Sequence, residues 1–142
     1  MNGSNVSGIA HVGIAVNDLE EAIRLFQDLF GVQASEIRES AKDRVRGAIL
    51  DFGNARIEFI QPTASDTAVA RFIEKRGQGL HHIAFHPKDD VKARLDDLKG
   101  HGYQAIDQEP RRGMFEMVGF MHPGSTGGIL VEFVEEHSAE QE

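Results

Sequence analysis

The chain has no cysteine and no tryptophan, one tyrosine and only four prolines among its 142 residues. Without cysteine there is no disulfide framework, no thiolate nucleophile and no Cys-type zinc site, and such a chain fits a reducing, cytoplasmic compartment. Positive charge is also scarce: 15 Lys and Arg stand against 23 Asp and Glu, a formal net charge of −8. With no concentrated basic stripe, a nucleic-acid partner is not expected. No apolar run approaches the roughly 20 residues of a membrane helix, and Met1-Asn-Gly-Ser lacks the basic-then-apolar form of a signal peptide, so no membrane partner is expected either. A chain of this length is about one domain's worth and can bury a real core. The tail Glu135–Glu142 carries part of the negative charge and is expected to fray as a solvated terminus.

What the chain does have is a repeat. Ile-Ala-His11-Val-Gly-Ile-Ala-Val followed by Asp18-Leu-Glu-Glu-Ala is echoed by Leu-His81-His82-Ile-Ala-Phe followed by Asp90-Val-Lys-Ala. Each copy is followed by an apolar-Glu-apolar segment, Ile57-Glu58-Phe59-Ile60 and Val131-Glu132-Phe133-Val134. His11 and His82 stand 71 positions apart, Glu58 and Glu132 stand 74. Two such His…Glu modules related by a pseudo-twofold axis would supply two imidazoles and two carboxylates, a complete set of ligands for one divalent metal.

Within each copy the pattern predicts a strand, a helix and then several strands. In the first, Ile9–Val16 reads as a strand, and Asn17 or Asp18 caps a helix whose apolar residues Leu19, Ala22, Ile23, Phe26, Leu29 and Phe30 recur at helical spacing up to Gly31. Strands follow near Glu36–Glu39, Arg46–Phe52 and Ala55–Ile60. In the second copy Leu80–Phe85 is the strand and Val91–Lys99 the helix, with Gly100 at its end. The remaining strands are expected near Gln104–Ile106, Phe115–Met121 and Gly128–Val134. The expectation is an α+β fold in one domain spanning 1–142: module one over about 8–62, a linker over about 63–78 with a short helix at Ala68–Lys75, and module two over about 79–135. The two βαβββ modules in tandem would form one cup-shaped curved sheet with helices on the outside.

Strand alternation tests the metal reading, because successive side chains point to opposite faces. Val12, Ile14 and Val16 form a bulky face fit to lie under a helix, leaving His11, Gly13 and Ala15 on the other. Ile83 and Phe85 match the first set; His82 and Ala84 match the second, so His82 rather than His81 is the partner of His11. Glu58 and Glu132 each lie opposite their apolar neighbours. A lone strand Glu is ordinarily just a wet-face residue, but here four polar residues share both repeat position and face. His86, His101, His122 and His137 have no repeat partner, and His81 is expected on the helix side or at a module junction.

The motifs resemble those of the vicinal oxygen chelate superfamily, the glyoxalase and bleomycin-resistance group, over roughly residues 8–135. Within it the likeness is greatest to the methylmalonyl-CoA epimerases. It rests on His11-Val-Gly-Ile-Ala-Val-Asn-Asp-Leu-Glu-Glu-Ala, Phe72-Ile-Glu-Lys-Arg-Gly-Gln-Gly-Leu-His-His-Ile-Ala-Phe85 and Phe120-Met-His-Pro-Gly-Ser-Thr-Gly-Gly-Ile-Leu-Val-Glu132. The resemblance implies a divalent ion, cobalt, manganese, zinc or nickel, held by His11, Glu58, His82 and Glu132. It implies a 1,1-proton transfer at C2 of methylmalonyl-CoA through a metal-stabilised enolate, with Glu132 as one base. The family's second base is a Glu that aligns near residues 42–43, where this chain has Lys42-Asp43. Asp43 is therefore the second catalytic candidate, and Glu39 the substitute if the register shifts.

The same ligand positions would serve a glyoxalase I-like lyase acting on a glutathione hemithioacetal, or a superfamily member that binds a small molecule without catalysis. For the phosphates of an acyl-CoA the candidate cations are Lys42, Arg44, Arg46, Lys75, Arg76, Arg111 and Arg112. Gly124-Ser-Thr-Gly-Gly128 reads as a hairpin turn, not a phosphate loop. By analogy with the superfamily, a homodimer is expected.

Overall fold

The computed structural model describes residues 3–135, and what was expected of the tail beyond Glu135 lies outside the described residues. The elements run β1 Val6–Ala15, α1 Leu19–Phe30, β2 Arg38–Ser40, β3 Val45–Asp51, β4 Arg56–Pro62, α2 Ala68–Arg76, β5 Gly79–Pro87, α3 Val91–Gly100, β6 Arg111–Arg112, β7 Met117–Phe120 and β8 Val131–Val134. This is βαβββ twice, with α2 between the copies. The described residues form two compact units, one of His11–His81 and one of residues 3–10 with 82–135.

In the unit His11–His81, β2, β3 and β4 pair antiparallel in that order, and β4 pairs in parallel with the second half of β1. A parallel neighbour requires a crossover, and α1 is part of it. Asp18 caps the helix by accepting from the Glu21 N–H at 3.0 Å. Glu20 and Glu21 occupy the first turn, where the helix dipole favours negative charge. Gly31 ends the helix with φ of +67°, a backbone conformation that costs glycine nothing, and donates to Gln27 O at 2.8 Å. The helix buries Leu19 and Phe26 against Val16, Ala48, Leu50 and Phe59. Phe26 meets Phe59 edge to face at 4.9 Å, and burying a ring of that size contributes roughly 1.5–3 kcal/mol. Arg46 of β3 reaches Glu20 of α1 at 2.6 Å. That guanidinium holds the Glu20 carboxyl down at about 2 against an ordinary 4.5. Because the folded value is depressed, the pair's stabilising contribution is present above pH 4.5 and is lost as pH falls toward 2. Glu20 is exposed, so solvent screening keeps that contribution small. The linker helix α2 is capped by Thr67, which accepts from Ala70 N–H at 3.0 Å, and it ends at Gly77.

In the other unit, β5 pairs in parallel with β8, β8 pairs antiparallel with β7, and β7 with β6. Helix α3, capped by Asp90, buries Val91 and Leu95 against Met121, Phe133 and Ala105. Gly119 is the small residue that admits this helix: a Cβ there would stand 2.8 Å from Leu95 Cδ1 and 2.9 Å from Val91 Cγ1.

One local expectation for this unit is corrected. Gln104–Ile106 is not a strand; Ala105 makes only an isolated bridge to Met121. The ladder stops there because Ile106 and Asp107 both donate to Phe120 O, while the Asp107 side chain takes the Phe120 N–H at 2.9 Å. The third strand is instead the short β6. Gly100 stands at the end of α3, as expected; His101 caps the helix, and Gly102 supplies the left-handed residue at φ +90°.

Candidate metal centre

The register of the two parallel ladders repeats. In β1/β4, Gly13 lies opposite Glu58 and Ile14 opposite Phe59. In β5/β8, Ala84 lies opposite Glu132 and Phe85 opposite Phe133. Each histidine stands two residues before the small residue that faces its carboxylate, and thus on the same face of its strand pair. Gly13 and Ala84 have no side chain long enough to fill the gap, and the imidazole and carboxylate meet across it. His11 Nε2 is 3.6 Å from Glu58 Oε1, and His82 Nε2 is 3.3 Å from Glu132 Oε1. On the opposite face, Ile14, Ile57 and Phe59 pack under α1, and Phe85, Val131 and Phe133 under α3. Strand alternation had assigned these faces from the residues alone.

His11 in one unit, 6 % exposed, and His82 and Glu132 in the other, 5 % and 4 % exposed, are three buried side chains of metal-ligating chemistry. Glu58, with its side chain 13 % exposed, stands beside His11 and is not one of the three. The donor set fits a divalent cation. A carboxylate this deeply buried is costly unless positive charge accompanies it, and imidazole nitrogen with carboxylate oxygen suits first-row metals such as zinc, cobalt, manganese and nickel. Two ligand atoms each about 2.1 Å from one ion stand about 3.0–3.4 Å apart. The His82–Glu132 pair meets that spacing at 3.3 Å, and the His11–Glu58 pair is slightly wider at 3.6 Å.

Asp43 lies half-buried in the turn between β2 and β3, residues 41–44. Its N–H donates to Ser40 Oγ at 3.1 Å, and its Oδ2 accepts from the same hydroxyl at 3.3 Å. Glu39 is exposed and stands opposite Arg46, which in turn lies opposite Gln61. Gln61 shares the side of Phe59 and Ile57, so Glu39 occupies the α1-packing face, away from Glu58.

The remaining histidines among the described residues are otherwise engaged. His81 packs edge-on against Phe72 at 4.8 Å, on the helix side as expected. His86 Nδ1 contacts Val134 O, His101 Nδ1 contacts Asp97 O, and His122 Nδ1 accepts from Gly124 N–H. Among the candidate cations, Arg44 pairs with Asp66 at 2.7 Å, Arg46 with Glu20, and Arg76 lies over the Phe72 ring. Lys42, Lys75 and Arg112 are exposed.

Sequence reasoning missed the surroundings of His82. Phe120 stands opposite Glu132 in the β7/β8 ladder and meets the His82 ring edge to face at 5.6 Å. Arg111 lies over the Phe120 ring, its Cζ 5.6 Å from the ring centre, and its Nε donates to Asp107 Oδ1 at 2.9 Å. The parity of β7 could have placed Phe120 on this face. No local signal marks Asp107, whose role depends on a loop reaching back to a strand thirteen residues later.

The sequence pattern of the Glyoxalase/Bleomycin resistance protein/Dioxygenase superfamily matches residues 10–120. The chain is 33 % identical to the mitochondrial methylmalonyl-CoA epimerase of Homo sapiens over 130 residues, covering 90 % of this chain and 73 % of that one. Its fold superimposes on methylmalonyl-CoA epimerase from Mycobacterium tuberculosis with a TM-score of 0.89 at 31 % identity, covering 97 % of this chain and 93 % of that one. A methylmalonyl-CoA epimerase solved in complex with methylmalonyl-CoA and NH4+ matches with a TM-score of 0.86 at 32 % identity, over 94 % of this chain and 96 % of that one. No described helix is long and apolar enough to cross a membrane.

Proposed function

Because the chain belongs to the glyoxalase/bleomycin resistance/dioxygenase superfamily, we propose that it is a metal-dependent epimerase acting on methylmalonyl-CoA. The observation that carries the reading is the twice-built His–carboxylate pair, with Glu132 buried against His82. The likeness to methylmalonyl-CoA epimerases supports that substrate, whose epimerisable centre is the 2-carbon of the acyl group. His11, Glu58, His82 and Glu132 are the proposed ligands of one divalent ion. When bound, that ion supplies positive charge beside the thioester oxygen on which negative charge develops.

The chain's own residues then divide the work. Glu132 has the chemistry to serve both as ligand and as proton carrier: one carboxylate oxygen stands 3.3 Å from His82 Nε2, and the carboxylate has a second oxygen. Asp43 is the proposed carrier for the opposite face of the substrate, its carboxylate oriented by the Ser40 hydroxyl. Removing the C2 proton with one carboxylate and returning one through the other inverts the centre. A homodimer in the cytoplasm completes the proposal, checked by sedimentation and by fractionation.

The test is incubation of the metal-loaded protein with methylmalonyl-CoA in deuterium oxide. The wild type should exchange the C2 proton and interconvert both epimers. Asp43→Asn should keep its metal content and still exchange from one face, but racemise at least about 100-fold more slowly. Wild-type protein that binds metal and thioester without any exchange would refute the epimerase reading, and an unimpaired Asp43→Asn would remove Asp43 from it.

A further inference from the structure

The helices of the two modules differ in what they show to solvent. Helix α3 is laced with charge: Arg94 pairs with Asp89 and Asp97, and Lys92 with Asp96 and Glu109. Helix α1 holds the matching place in its own module, with Asp18 and Asp90 as the equivalent caps. Counted from those caps, Leu25 occupies the place of Asp97, and Leu29 that of His101. Leu25 is 52 % exposed and Leu29 59 %. An open groove of about 590 Å³ adjoins Leu25, lined further by Ile14, Phe59 and Ala22, with Arg24 and Asp28 also among its lining residues. Two exposed leucines one turn apart beside an apolar groove make a contiguous apolar surface, which a solvated helix does not need. Among the described residues, neither Arg24 nor Asp28 has an ion-pair partner, although both are exposed and stand one turn apart.

We propose that this face of α1 docks on the same face of a second copy of the chain, with the two helices antiparallel across a two-fold axis. This rests on the homodimer part of the function proposed above and names its surface. A two-fold interface must be complementary to itself, and this face is. Ala22, Leu25 and Leu29 recur at helical spacing and form one apolar stripe, bordered by Arg24 and Asp28.

When the second helix runs the opposite way, Ala22 comes opposite Leu29 of the other copy, with Leu25 close to the axis. Arg24 then meets Asp28 of the other copy, and Asp28 meets Arg24 in return. The apolar and the charged pairings share one axis to within a single residue, a rise of about 1.5 Å. A parallel partner would instead set Arg24 against Arg24 and Asp28 against Asp28, which repel. Helix α3 has no such face, because Arg94 is already paired and Asp97 stands where the seam needs a leucine. An unrelated partner would need a matching pattern of its own; a second copy has it by symmetry.

Sedimentation velocity of the full chain at roughly 50 µM, well above the dissociation constant of a stable dimer, reads the outcome. Wild type should run as a dimer. Leu25→Asp, which copies the residue α3 carries at that place, should raise the dissociation constant at least about 100-fold. Because Leu25 is exposed, its circular dichroism should match wild type. Arg24→Asp and Asp28→Arg should each weaken the dimer about 10-fold or more, and an equimolar mixture of the two should recover it, since every cross pair is then attractive. Recovery on mixing cannot come from a damaged fold. A dimer that survives Leu25→Asp and both charge reversals would overturn this surface and leave the homodimer standing. A monomeric wild type would overturn both and leave the face to an unrelated partner. Losses in the single variants without recovery on mixing would overturn the antiparallel arrangement. No substrate enters the measurement, so its outcome is separate from that of the epimerase reading.

Discussion

Glu58 and Glu132 occupy equivalent registers but unequal surroundings, and that inequality predicts unequal mutants. Glu132 is 4 % exposed and its strand neighbour Phe120 packs against His82, whereas Glu58 has a more open side chain and a wider approach to its histidine. Replacing Glu58 with Ala should weaken metal binding by at least the roughly 10- to 100-fold that loss of a ligand's supporting partner costs. Excess metal should then restore much of the rate. Under the proposed function Glu132→Ala would remove a proton carrier along with a ligand, so saturating metal should leave the rate about 100-fold or more below wild type. Metal titration followed by activity at each loading separates the two. If excess metal rescues both equally, Glu132 is only a ligand.

At the scale of elements, the close approach of α3 to its strands depends on one missing side chain. Gly119 faces Val91 and Leu95, both fully buried and unable to retreat. Gly119→Ala should destabilise the protein by about 1–3 kcal/mol through overpacking, read as a lower urea midpoint with an unchanged slope. An alanine that is tolerated without loss would mean that α3 can shift outward at little cost. In the first module the corresponding strand position is Ala48, itself fully buried under α1. The matching ladders therefore meet their helices with different residues, Gly119 beneath α3 and Ala48 beneath α1. This difference was not legible in the helix sequences, which read simply as amphipathic, because it depends on the residue across the interface.

For the whole molecule, the testable consequence is linkage between metal and folding. The proposed ligands, residues 11, 58, 82 and 132, have no preformed counterpart in the unfolded chain, so an ion held by them would stabilise the native state. Loading with a divalent metal at about 100 times its dissociation constant should raise the melting temperature by on the order of 5–10 °C, and a chelator should reverse the shift. Scanning calorimetry of wild type beside His82→Ala checks it. A shift of the same size in both proteins would show that the ion binds elsewhere.

The sequence by itself determined the repeat, the order of elements and the faces of the strands that carry His11, Glu58, His82 and Glu132. All of these follow from local rules: a period of two in strands, a helical spacing of apolar residues between Asp18 and Gly31, and glycine where the backbone turns left-handed. Only the tertiary structure decided what depends on distant chain meeting distant chain. It placed Gly13 and Ala84 opposite their carboxylates, turned Glu39 toward the α1 face, and ended the strand expected at Gln104–Ile106 by giving the Phe120 amide to a side chain. It also set Arg111 on Phe120 beside His82. Register and ring stacking are chosen by the lowest free energy of the assembled pair, and neither partner's own stretch of sequence contains that quantity.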